Sequence, residues 1–345
     1  MSAEDTLWTS GTPESNKRWT GGVQFSPDGS TLVYTKEGEV FIVDVRSRAI
    51  VESFKIDKLF AHAVKFSPNG QIFATGSSGG QVYGFSLTDR RLIFQLEGHT
   101  TYVRALSFSP DAKTLFSGSQ DGTVRIWDVE TGDLVKIVSL ESGGNRTSYL
   151  RTIAITPVGG SIAAGWWDQA IRISDLSTGK LLHCIRTSGI PERLDFSPDG
   201  SLCTAALDSG TLLHIRNLTG EQPEIFNYSG HKLPDRVESM VNRTIVSKDG
   251  KWVISGSMAS AVHFTRPFTR SANFVMKGIS WDFDYHPESG IFAGALVDGT
   301  VRVWKFDPSV KNHPSRPPTP VRPAYSMNED YDSELEFDDP YPWKD

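Results

Sequence analysis

The chain has 345 residues, 38% of them hydrophobic and 22% charged, with two cysteines and a formal net charge of −6. No stretch approaches the ~18 consecutive apolar residues of a membrane-spanning helix, Cys184 and Cys203 are too few for a disulfide framework or a zinc site, and the acidic balance lacks the broad basic field on which non-specific nucleic-acid binding relies. Nine acids against four bases in residues 307–345 give −5, which leaves only −1 for residues 1–306.

From the amino terminus, Met-Ser-Ala-Glu-Asp carries acids where a secretory signal would carry bases followed by an apolar stretch, so an intracellular protein of the cytoplasm or nucleus is expected. The first short apolar run is Thr6-Leu7-Trp8-Thr9. Seven segments then align on one pattern, beginning at Val23, Val64, Leu106, Ile153, Leu194, Thr244 and Phe283. Each reads as a strand, a Pro-Asp-Gly type turn, a second strand, a tight Gly-containing turn and a third strand. The marker prolines Pro27, Pro68, Pro110, Pro157, Pro198 and Pro287, with Lys248 in the sixth place, are spaced by 41, 42, 47, 41, 50 and 39 residues. That period, near ~40–45, is the length of a four-stranded propeller blade. A blade cannot hide its apolar faces alone, so seven of them predict a closed all-β ring over residues 1–306. The last copy has no fourth strand downstream, and Thr6-Leu7-Trp8-Thr9 is its expected donor.

The third copy is the most complete, with Gly98-His99 before its first strand, Ser-Gly-Ser-Gln-Asp-Gly at 117–122, and Trp127-Asp128 ending its third strand. These residues resemble the WD-repeat (WD40) family. The resemblance implies a seven-bladed propeller in which a histidine, a serine, an aspartate and a tryptophan bond in series within a blade, here His99, Ser117, Asp121 and Trp127. Elsewhere the aspartate recurs as Asp168 and Asp298, the tryptophan as Trp304, and Gly230-His231 precedes the sixth copy. Val124 to Gly132, Ser148 to Gly165, and Gly230-His231-Lys232 through Ser255-Gly256-Ser257 are also similar to the propeller of Tup/Groucho-type transcriptional corepressors.

No phosphate-cradling loop, His-Glu-x-x-His, nucleophile elbow or Cys-x-x-Cys is present in the sequence, so neither a catalytic activity nor a cofactor is expected. Members of this family grip partners with loops around one mouth of the channel, which directs attention to the starts of the first strands. Eight residues before each marker stand Trp19, Phe60, Tyr102, Tyr149, Ile190, Met240 and Ile279, all large and apolar or aromatic. Six before it stand Gly21, His62, Arg104, Arg151, Glu192, Asn242 and Trp281. Trp167 takes the place that Gln120 holds in the third copy. Tyr102, Arg104, Tyr149, Arg151, Trp167 and Trp281 are therefore the candidate protein-binding residues, since aromatic and arginine side chains dominate interface energetics and paired arginines suit an acidic ligand. Packing between neighbouring blades is the competing reading for Trp19, Phe60, Ile190, Met240 and Ile279.

Residues 307–345, Pro-rich and then acidic, carry too much charge and proline for a core, and a disordered tail is expected there. Tyr325, Tyr331, Leu335, Phe337, Tyr341 and Trp343 lie among its acids, so it could bind a partner or its own propeller at Arg104 and Arg151. The whole reads as a non-catalytic scaffold for proteins or peptides, with transcriptional or chromatin regulation as one setting. A substrate-recruiting subunit of a larger enzyme complex, such as a ubiquitin ligase, is the alternative.

Overall fold

The computed structural model describes residues 6–10, 20–56, 61–140, 150–157, 160–220, 222–229, 231, 240–257, 261–268, 274–277, 280–296 and 300–305. Every regular element among them is a strand, and the strands form seven antiparallel sheets of four. Blades 1 to 6 each use four strands in chain order, starting with the inner strands Thr20–Phe25, Ala61–Phe66, Val103–Phe108, Leu150–Ile155, Pro191–Phe196 and Val241–Val246. Blade 7 has Ser280–His286 innermost, then Ile291–Leu296 and Val301–Lys305, and takes Thr6–Ser10 as its outer strand. Thr6 pairs with Trp304, Trp8 with Val303, Thr9 with Arg302 and Ser10 with Val301. The amino terminus thus completes the last blade as its sequence suggested, and an open array with an unpaired third strand is avoided. The expected tail, residues 307–345, lies outside the described residues.

Each inner strand touches those of both neighbouring blades, including the first and last around the closure. The core is divided in the same way. Seven apolar clusters each draw on two adjacent blades, one per seam. At the closing seam Val23, Phe25, Leu32 and Tyr34 of blade 1 pack on Ala293, Ala295, Val301 and Val303 of blade 7. The repeated glycine of the second strand permits this approach. A Cβ on Gly118 would lie 2.8 Å from Ile153 of the next blade, and one on Gly256 would lie 2.7 Å from Phe283. Blade-to-blade contact therefore depends on a missing side chain as much as on the apolar ones.

The marker turns owe their shape to local bonds. In the first, Ser26 Oγ donates to Asp28 Oδ1 at 2.6 Å, Asp28 accepts from Ser30 N at 3.1 Å, and Gly29 sits at φ 71°. The same serine bond, with help from Ser30 and against the effect of partial burial, holds the Asp28 carboxyl below its ordinary range. In blade 3 the left-handed position is filled by Ala112 at φ 61°, a conformation that favours glycine.

Candidate binding surface at the channel mouth

Two residues that could suggest chemistry, His99 and Asp121, are bound into the framework of blade 3. Trp127 Nε1 donates to Ser117 Oγ at 2.8 Å, Ser117 Oγ lies 2.8 Å from His99 Nε2, and His99 Nδ1 lies 2.9 Å from Asp121 Oδ2. A single run of donors satisfies all four groups when His99 carries its proton on Nδ1. Asp121 also accepts from Thr123 Oγ1 at 2.6 Å and Thr100 N at 3.1 Å. Burial acts to raise its pKa, but the bonds from His99 and Thr123 outweigh it and the carboxyl is held far below its ordinary range. Asp168, the matching aspartate of blade 4, has a different partner. No Gly-His precedes this blade in the sequence, and the carboxylate instead accepts from the buried Arg172 at 3.0 and 2.6 Å. Asp298 lies outside the described residues. Among those residues, no group of three or more His, Cys, Asp or Glu side chains is gathered for a metal ion.

The mouth is shaped by a bulge that recurs at the start of the inner strands. Register shifts fall between Val103 and Ala105, Leu150 and Thr152, Pro191 and Arg193, Val241 and Arg243, and Ser280 and Asp282. The residue left unpaired by each is Arg104, Arg151, Glu192, Asn242 or Trp281, the set six places before the marker. A bulge inserts one residue, so the alternation of faces restarts beyond it. Arg104 stands 4.7 Å from the Tyr102 ring centre and Arg151 stands 5.6 Å from that of Trp167. Trp167, in the turn after the second strand of blade 4, is 45% exposed. Two arginine–aromatic pairs thus lie side by side on blades 3 and 4, in the geometry of a cation–π contact. Arg151 also donates to Glu192 of blade 5, from Nε at 3.0 Å and Nη2 at 2.6 Å. Of the remaining candidates, Trp281 lies in the inner strand of blade 7, and Tyr149 lies outside the described residues.

Sequence inspection missed a second set of charged residues. Positions five and three before the marker line a channel cavity of about 130 Å³. They include Arg193, Asp195, Arg243, Asp282 and Asp284, with Gln24 and Lys65 from blades 1 and 2. Several serve the ring directly. An innermost strand is a sheet edge whose N–H groups need partners, and the neighbouring blade supplies them. Asp282 accepts from Val23 N at 3.0 Å, Asp284 from Phe25 N at 2.8 Å, Gln24 from Phe66 N at 2.9 Å and Asp195 from Val246 N at 2.8 Å. Arg243 also forms an ion pair with Asp282. Burial raises the Asp284 carboxyl to about 6 and also raises Asp195, against the bonds that favour their ionised forms. The missed set was present in the same repeat alignment, but the bulge hides it from a reading based on strict alternation.

Charge is uneven along the channel. At positions six and five, near the mouth, Arg104, Arg151, Arg193 and Arg243 face Glu192 and Asp282, a balance of +2; at position three, Lys65 faces Asp195 and Asp284, a balance of −1.

A closed ring of seven four-stranded blades, with a serine–histidine–aspartate–tryptophan strut in one of them, defines a β-propeller built from WD repeats. The family model described as WD domain, G-beta repeat matches residues 56–85 and 90–128, across blades 2 and 3. The chain carries WD40 repeats in a seven-bladed propeller. It is also similar to the pre-rRNA-processing protein crb3/ipi3 of Schizosaccharomyces pombe, with 31% identity over 138 residues, or 35% of this chain. The match spans 31% of that relative's length.

Proposed function

We propose that the propeller is a non-catalytic platform that seats an acidic segment of a partner protein at its channel mouth. The observation that carries this reading is the pair of arginine–aromatic contacts, Tyr102 with Arg104 and Trp167 with Arg151, on adjacent blades. Each ring limits the freedom of its guanidinium before a partner arrives, which reduces the ordering cost of binding. WD40 propellers generally bind proteins, and the fold supplies a rigid base for these side chains. Similarity to the fission-yeast relative supports a pre-rRNA-processing assembly in the nucleus as the setting, in preference to transcription. The test is affinity capture with the full chain, comparing wild type with Arg104→Ala/Arg151→Ala/Trp167→Ala and with Arg216→Ala/Arg266→Ala, arginines outside the mouth. The triple variant is expected to lose at least tenfold of its specific partners while the control retains them. Equal recovery from the triple variant would remove the mouth from the account, and partners unrelated to pre-rRNA processing would remove the setting.

A further inference from the structure

Arg193 differs from the other arginines of the channel. It follows the bulge at Glu192, lines the cavity, and among the described residues its guanidinium makes no hydrogen bond or ion pair. Arg151 has Glu192, and Arg243 has Asp282. Burial, and then the like charge of Arg243, lower the Arg193 pKa to about 10 against the attraction of Asp282, with smaller lowering contributions from Arg104 and Arg151. Arg193 is half-buried in the channel wall, and it lines the cavity together with Arg104 and Arg243. The cavity of about 130 Å³ is far larger than the roughly 10–15 Å³ that one water needs by the same measure. The charge of +2 in this layer matches a dianion, and guanidinium forks bind phosphate through paired N–H···O bonds.

We infer that the upper channel is an oxyanion site centred on Arg193, which takes a phosphate dianion either as the free ion or carried on the side chain of a docked segment. Only the second source depends on the mouth being the partner-binding face. Arg193 is the central donor, Arg104 contributes from the rim, and Arg243 stays with Asp282 to keep blades 6 and 7 joined.

The experiment follows thermal unfolding of the full chain in chloride and in millimolar inorganic phosphate at matched ionic strength, for wild type and Arg193→Met. Phosphate should raise the wild-type Tm by about 2–4 °C. Arg193→Met should lose that rise, because the guanidinium fork that would pair with the phosphate oxygens is gone. An equal rise in both proteins, or none in wild type, overturns the site. Should Arg193→Met fail to fold, Arg193→Lys carries the test. It keeps the charge without the fork and should need several-fold more phosphate for the same shift; an unchanged requirement overturns the site. O-phosphoserine identifies the source: a rise matching that of phosphate supports a carried group, and a rise with inorganic phosphate alone supports a resident ion. These readouts use no partner, so failure here leaves the capture experiment standing, and failure of capture leaves this site standing.

Discussion

Blade 3 holds its entering histidine, His99, between Ser117 and Asp121 at 2.8 and 2.9 Å, with Trp127 completing the strut. In blade 6 the counterpart His231 bonds Ser255 at 2.7 Å and stacks on His263 at 3.8 Å, and His263 Nδ1 meets the Tyr228 hydroxyl at 2.7 Å. Ala259 stands where blade 3 has Asp121, and Thr265 where it has Trp127. One blade is braced by an ionised carboxylate and the other by a stack of buried neutral rings. Burial depresses the titration of both blade 6 histidines, with the nearby His263 adding to the effect on His231, and places His263 at about 4. Blades 3 and 6 thus brace their upper strands with polar struts of different chemistry, and the two solutions should respond differently to mutation and to acid.

The largest expected effect is at the carboxylate. Asp121→Ala strips His99, Thr100 and Thr123 of an acceptor at once and should cost about 3 kcal/mol in urea unfolding. Ser255→Ala removes one bond from the blade 6 stack and should cost about 1 kcal/mol. Equal costs would break the contrast between the blades. Glycine substitutions test what the two share: Gly118→Val and Gly256→Val drive a side chain into Ile153 and Phe283, and each should cost about 1–3 kcal/mol by overpacking its seam. A mild effect at either position would show that the blades do not use the same close approach.

Acid should separate them next. A histidine whose folded pKa lies below the unfolded 6.5 contributes stability that is full above about pH 6.5 and drains as pH falls toward the folded value. For His263, folded at about 4, the loss at pH 5 is on the order of 1–2 kcal/mol. Asp284 has the opposite sign: raised to about 6 from 3.8, it opposes folding at neutral pH and that penalty is relieved as pH falls through 6. Hydrogen exchange should therefore show strand Val253–Ser257 of blade 6 losing protection between pH 7 and 5 relative to Thr114–Ser119 of blade 3. A constant ratio would contradict the neutral-ring brace. The smallest effect is a gain: Ala112→Gly, at φ 61°, should stabilise blade 3 by about 0.5–1 kcal/mol, and a loss would place a packing role on the Ala112 methyl.

Much of this architecture was legible because it repeats. The marker turns fixed the number of blades, and the missing last strand pointed to Thr6–Ser10. The site was less legible, for three local reasons. The bulge at Arg104, Arg151 and Glu192 breaks the two-residue period, so the charges at Arg193, Arg243 and Asp282 on the restarted alternation escaped notice. The partner that neutralises Arg151 is Glu192, 41 residues away on the next blade, and ion pairs across a seam carry no spacing signal. Asp168 reads as a strut aspartate by position, but without a histidine ahead of blade 4 it bonds Arg172 instead. Repetition reveals where a strand lies; the partner of each side chain depends on the neighbouring blade.

The claim that partners are held at the channel mouth is tested most directly by photo-crosslinking. A photoreactive phenylalanine analogue is placed in the full chain at Trp167, 45% exposed at the mouth, or at Val135, 65% exposed on the outer strand of blade 3, and the crosslinked proteins are compared. Crosslinks to the captured partner from position 167, competed by an acidic peptide, with none from position 135, are the predicted result. The same partner crosslinked from position 135 and not from position 167 would place recognition on the outer edge of the ring and contradict the account.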